Sequence, residues 1–361
     1  MASSRRQFLT TLSAATAGGA ALLGGHASTW NGPPAHPNTD QESFSPTTLL
    51  KKHPFEPVAA GHTAGETQPD PRMPTAAEVR SWYTDRRNWG RWGNDDQRGA
   101  INLITPEKSA AAAKLVRKGR KVSMSRIFEP EQHFIRKNPR PDGSSSVVDY
   151  YGFIYHGQTI THIDALCHMW DNDGMWQGRD PDVEVTTRGA NFGAIDAWSD
   201  GIITRGVLID VPRHRGVSHV TPDRPVHGWE IDEIARAQNV TVEPGDALLV
   251  YSGKDKFVRT GGNYGGGDRP GLSVTCAKFI RDHDVSLLGW DMMDARPGLY
   301  GLAFPVHGVL FNYGVALLDN ALLEPIAEAC ADEERYEFMF MGLPLKVARG
   351  TGSPVNPIAM F

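Results

Sequence analysis

The sequence predicts an α/β protein with a mixed β-sheet or barrel-like core and flanking helices. Three observations lead there. Runs rich in β-branched and aromatic residues, ending in Gly, Pro or Asp, recur at 122–128, 147–155, 159–165, 203–211, Ala247–Tyr251, 285–293 and 336–347. Only a few helical stretches interrupt them, without a regular βαβ alternation. The composition is that of a globular chain, with 361 residues, 22% charged and 40% hydrophobic, enough for one large core or two modest ones.

Taken in order, the chain opens with Ser4-Arg5-Arg6-Gln7-Phe8-Leu9, a twin-arginine signature followed by an Ala/Gly/Leu run to Gly25. Residues 1–27 are expected to be a signal peptide, cleaved near Ala27, for export of the folded protein to the periplasm or the extracellular space. Residues 28–74, rich in Pro, Gly, His, Ser and Thr, read as an extended linker or arm. The folded domain is expected over 75–361. Thr75 and Glu78 form a capping box that opens a short helix through Tyr83. Thr105-Pro106 starts an Ala/Lys helix expected to reach about Lys118. Between them lies a Trp/Gly/Asp loop whose Trp89 and Trp92 serve either the core or a pocket for a flat substrate. Later helices are expected over 229–238, over Thr275–Asp282 with Ser273 as a cap, and over 321–329. The Gly-rich loop 261–267 lacks the lysine and spacing of a phosphate loop, so it reads as a lid or surface turn.

A net charge of −5 with no basic run argues against a nucleic-acid partner, and no later apolar segment is long enough for a membrane span. Cys167, Cys276 and Cys330 are too few and too scattered for a disulfide framework.

The chemistry concentrates in residues 155–170, YHGQTITHIDALCHMW. His162 and Asp164 are two apart, so in a strand their side chains leave the same face. An imidazole and a carboxylate on one rigid edge suit a divalent cation. Asp164 stands among Ile163, Ala165 and Leu166, where a carboxylate needs a strong partner. His168 follows past a turn and can reach the same spot without ligating. His156-Gly157 suggests a bulge or tight bend ahead of the strand. Cys167, inside the stretch, is a small packed hydrophobe, a ligand or a nucleophile. Two residues do not hold a cation firmly, so a further ligand must come from elsewhere. His307 reads either as a ligand or as a satisfied core histidine. Asp319 reads either as a ligand or as the cap of the helix after it.

Thr161-His162-Ile163-Asp164-Ala165-Leu166-Cys167-His168 resembles the core of the H-x-G-T-H-x-D-x-P-x-H signature of the cyclase family of metal-dependent hydrolases, which includes kynurenine formamidases and isatin hydrolases. The loop 91–96 with 99–106, the pair His307 and Asp319, and the tail 353–357 resemble other parts of that family. The sequence departs from the signature at Gln158, Ile160 and Leu166, which stand where the signature has His, Gly and Pro. The resemblance implies a swivelling β/β/α fold and hydrolysis of an amide, lactam, lactone or ester bond in a small cyclic or aromatic substrate. It also implies assembly as a homodimer or homotetramer. One divalent ion, Mn²⁺ or Zn²⁺, is expected on His162, Asp164, His307 and Asp319, because Gln158 is a poor substitute for the imidazole that helps hold a second ion. His168 is then the general base and proton donor, and Gln158 a hydrogen-bond donor to the substrate or oxyanion. Rival readings are a metal-dependent cyclase or dehydratase, a non-catalytic binder of a small aromatic ligand, and a cysteine hydrolase through Cys167.

Overall fold

The computed structural model describes residues 70–361 apart from 129, 266, 303 and 304. The expected signal peptide and nearly all of the 28–74 arm lie outside the described residues.

Helix α1 (Ala76–Thr84) begins on the expected capping box, with Thr75 and Glu78 exchanging side-chain and backbone hydrogen bonds. Helix α2 (Pro106–Ala113) starts on Thr105 as expected but ends early. The N–H groups of Lys118 and Gly119 donate to the carbonyl of Phe361 instead of continuing the helix. Strand β1 (Lys121–Ser123) is shorter than the predicted run, because Met124 turns its N–H to the carbonyl of Pro357. Strands β2 (Gln132–Pro139) and β3 (Ser145–Gly152) form a separate hairpin with both faces largely exposed. The polar run Arg136-Lys137-Asn138 hid β2 from any pattern of alternation. Three residues alone make β4 (His162–Asp164), all buried.

A small segment follows, with α3 (Pro181–Glu184) and the ribbon β5 (Val185–Thr186) and β6 (Gly189–Ala190). Beyond it come β7 (Ile202–Asp210), α4 (Val211–Arg215), α5 (Gly228–Ala237), β8 (Ala247–Tyr251) and α6 (Lys254–Arg259). Helix α7 (Thr275–Asp282), β9 (Leu287–Trp290), α8 (Gly308–Tyr313) and β10 (Ala316–Asp319) come next. Helix α7 has the predicted bounds, but Val274 rather than Ser273 holds its cap position. The chain ends in α9 (Glu324–Glu333), β11 (Glu337–Gly342), β12 (Gly352–Pro354) and β13 (Ile358–Met360).

Nine strands make one mixed sheet in the order β1-β13-β11-β7-β8-β9-β10-β4-β12. The sheet is open, with β1 and β12 at its ends. Its middle, β7 through β10, is parallel, and every residue of β8, β9 and β10 is buried. Strands covered on both faces read as unbroken apolar runs, which is why these were legible. Each fully buried Leu or Val contributes about 1.5–3 kcal/mol relative to exposure. Helix α2 packs on β7 and β11, α9 on β1 and β7, and α5 against α7. Trp89 and Trp92 lie partly buried against the core, and Trp89 donates to the carbonyl of Phe311 at 2.7 Å. Among the described residues no helix is long and apolar enough to cross a membrane.

The C-terminal ends of parallel strands are where open α/β sheets present ligand sites. Here that edge carries Tyr251, Trp290 and Asp319.

Candidate metal centre

Strand β4 lies between β10 and β12, antiparallel to both. In this register His162 stands directly opposite Asp319, and directly opposed residues of paired strands share a face. Asp164, two residues on from His162, joins them from the same strand. Asp319 is available for this role because it caps no helix: α9 starts only at Glu324, with Leu323 in the cap position. The expected helix over 321–329 therefore begins later than predicted, at the Glu324-Pro325 start.

The two histidines beyond β4 come from its flanks. The chain bends at residues 156–160, with Gly157 at φ +142°. The bend returns His156 to the sheet, with its Nδ1 2.9 Å from Asp164 Oδ1. Room for this ring comes from Gly352, opposite Asp164 in β12; a β-carbon there would lie 2.8 Å from His156 Cε1. His168 follows the turn after β4, with its Nε2 3.8 Å from Asp164 Oδ2. It stacks flat on His156, with ring centroids 3.9 Å apart. His307, just ahead of α8, brings Nε2 to 3.4 Å from Asp319 Oδ2.

The imidazoles of His156, His162 and His307 are each oriented from the far side, as metal-ligating histidines are. His162 Nδ1–H donates to the carbonyl of Ile160 at 2.8 Å, which leaves Nε2 facing Asp164 Oδ1 at 3.3 Å. His307 Nδ1 pairs with the buried carboxylate of Asp294, so its Nε2 faces Asp319. His156 Nε2 lies 3.1 Å from Thr351 Oγ1, which turns Nδ1 inward. Asp319 is held through its other oxygen, which accepts from Trp290 Nε1 at 2.5 Å.

Two sets of potential ligands result, His156/His162/Asp164 and Asp164/His307/Asp319, with Asp164 common to both. A divalent cation fits them on one structural observation. His156 Nδ1 and Asp164 Oδ1 are buried and close together, yet aligned so poorly that neither has a hydrogen-bond partner. Such buried orphans are costly unless something fills the gap between them.

Within the protein itself the charges compensate one another. Burial opposes ionisation of His162, but the Asp164 carboxylate outweighs it and pushes the imidazole up to about 9. Burial likewise raises Asp164, and the surrounding His168, His156 and His162 reverse this and hold it well below the usual carboxylate range. Burial works against the charged form of His307, and Asp294 overrides it, raising the imidazole well above its ordinary value. Burial pushes His168 the other way, below the ordinary imidazole range, against the opposing pull of Asp164.

The expected residues His162, Asp164, His307 and Asp319 are thus brought together, with His168 beside them. Gln158 is not drawn in through its amide, which makes no hydrogen bond among the described residues. Its carbonyl instead accepts from Lys254 at 2.9 Å. Three residues were missed as members of the site: His156, Asp294 and Trp290. The signal for His156 was present in the clustering of three histidines around Asp164. His156 supplies an imidazole from two residues before Gln158. Cys167 is fully buried, and burial pushes its thiol up to about 12, so it is a packed residue and not a nucleophile.

Comparison with known proteins gives a consistent picture. The family model described as "Putative cyclase" matches residues 122–295. A crystal structure of a novel cyclase aligns with a TM-score of 0.68 at 27% identity, covering 76% of this chain and 99% of that one. The kynurenine formamidase of Bacillus cereus is 24% identical over 200 residues, 55% of this chain and 74% of that protein. That of Bacillus thuringiensis is 27% identical over 89 residues, 25% of this chain and 39% of its own length. The chain is similar to the cyclase family over residues 122–295, just under half of its length, and shares the fold of the novel cyclase.

Proposed function

We propose that the protein is a metal-dependent hydrolase that opens an amide bond, linear or cyclic, or a related ester bond, in a small aromatic substrate. The observation that carries this reading is the convergence of His156, His162, His307 and Asp319 on Asp164, with orphaned polar atoms on His156 and Asp164, beside a histidine outside both ligand sets. The relatives named kynurenine formamidase support the choice of an amide.

His162, Asp164, His307 and Asp319, together with His156, are the residues that would hold the cation, Mn²⁺ or Zn²⁺. When bound, such an ion supplies Lewis acidity toward a carbonyl oxygen and makes a water molecule acidic near neutral pH. His168 is the residue that moves the proton, accepting it on a ring nitrogen and returning it to the leaving nitrogen or oxygen. His156, stacked on it, keeps its ring plane fixed. The amide of Gln158, unengaged among the described residues, is the donor assigned to the substrate. Export by the twin-arginine route rests on residues 4–9, and a homodimer or homotetramer on the family resemblance; cell fractionation and solution mass test these two readings.

The experiment is hydrolysis of a panel of aryl formamides, lactams, lactones and esters in ¹⁸O-labelled water, with protein stripped by chelator and then reloaded with Mn²⁺ or Zn²⁺. The expected result is metal-restored turnover with one labelled oxygen in each carboxylate formed. Product without label identifies a cyclase or dehydratase instead. Ligand binding without turnover across the panel identifies a binding protein.

A further inference from the structure

Lys254 opens α6 directly beyond β8 and is only 6% exposed. A buried ammonium is costly unless its N–H groups are all engaged. Here Nζ donates to the carbonyl of Gln158 at 2.9 Å and to Asn320 Oδ1 at 2.7 Å. It also lies 4.5 Å from the ring centroid of buried Tyr264 in the Gly-rich loop. The backbone behind it is equally fixed. The buried carboxylate of Asp291 accepts from the N–H groups of Ser252, Gly253 and Lys254 at 2.7, 2.8 and 2.9 Å. Asp291 directly follows Trp290, the residue that orients Asp319.

Both oxygens held by Lys254 belong to segments that carry candidate ligands. Gln158 lies in the bend between His156 and His162, and Asn320 directly follows Asp319. Asn320 strengthens the junction by donating its amide to the carbonyl of Gly157. Its own carbonyl accepts from the hydroxyl of Thr161 at 2.8 Å and from Arg126 Nε at 3.0 Å. The bend has no regular secondary structure of its own, so these bonds set its position.

We propose that Lys254 is a positioning residue of the metal centre: by tying the Gln158 carbonyl to Asn320 it holds the bend at 156–160 against the end of β10 and keeps His156 Nδ1 over Asp164. A donor-only group with three N–H bonds suits this junction, where both partners are oxygen acceptors. The inference rests on the metal-dependent reading of the site and adds to it a residue outside both ligand sets.

The test is Co²⁺ titration of the metal-stripped full-length protein, read by visible absorption, which needs no substrate. Wild type, Lys254→Met, Lys254→Arg, His156→Ala and the double variant His156→Ala/Lys254→Met are compared, with melting temperatures of the stripped proteins alongside. Lys254→Met is expected to weaken Co²⁺ binding by about tenfold and to change the ligand-field spectrum, as loss of an orienting partner does. Lys254→Arg is expected to recover part of both. Because Lys254 acts through His156, adding Lys254→Met to His156→Ala is expected to cost nothing further. Wild-type affinity and spectrum in Lys254→Met, or additive losses in the double variant, overturn the proposal. Should Lys254→Met not fold, Asn320→Ala serves in its place, with the same spectral change expected and an unchanged spectrum overturning the idea. A wild-type protein that takes up no Co²⁺ overturns the metal reading itself, and so is distinct from a failure of Lys254 alone.

Discussion

Asp164 is 1% exposed and has three imidazoles around it, from His156, His162 and His168. A carboxylate so placed is stabilised only by positive charge, from protonated histidines or from a cation. His162→Ala and Asp164→Ala are therefore expected to lose bound metal and activity together. His168→Ala is expected to keep the metal and lose rate by roughly 10²–10⁴-fold, the usual range for a proton-transfer group. Metal content by elemental analysis and kcat on the same preparations check this, and full occupancy in Asp164→Ala contradicts it. His162 and Asp164 were legible in the sequence because a strand's period of two makes the pair share a face. His156 was visible but not assigned, since its position depends on a bend and on the missing side chain of Gly352. That glycine lies in β12 and comes to face Asp164 only when β12 pairs with β4, a contact no local pattern announces. Asp319 had two readings, and only the start of α9 at Glu324 removes the cap reading.

At the scale of elements, the site depends on β9 and β10 as much as on β4. Trp290 ends β9 and donates to Asp319 Oδ1, so the carboxylate turns its other oxygen toward His307. Trp290→Phe keeps most of the buried ring and removes the donor. It is expected to weaken metal binding by roughly 10–100-fold, as loss of an orienting partner does. The unpaired carboxylate oxygen also costs about 1–3 kcal/mol of folding stability. Metal titration and denaturant unfolding measure the two effects, and wild-type metal affinity in this variant shows that the bond does not position Asp319. The buried parallel strands were legible because they are short apolar runs, and Ala247–Tyr251 has the predicted bounds. Strand β4 is shorter than its apolar run predicts, since its pairing with β10 and β12 covers only three residues. The hairpin strand β2 escaped notice because charged and polar residues fill its second half. The start of α9 was marked by Pro325 in its first turn, a signal outweighed by the carboxylate at Asp319.

At the scale of the whole molecule, the open mixed sheet brings the ends of β9 and β10 and the start of β4 to one edge. Segments far apart in sequence meet there: the bend at 156–160, the turn before His168, Asp294, His307 and Asp319. The fold class was legible from strand-rich runs with few helices. The order of the strands was not, because it depends on pairings between distant segments such as β4 with β12. Every role assigned to these residues depends on a divalent cation at Asp164. The most direct measurement is a crystal structure of the metal-loaded protein with anomalous difference maps recorded on both sides of the absorption edge of the ion identified by elemental analysis. The expected result is a peak about 2.0–2.2 Å from Asp164 and from at least one imidazole of His156, His162 or His307. A metal-replete protein whose only peaks lie away from Asp164 contradicts it.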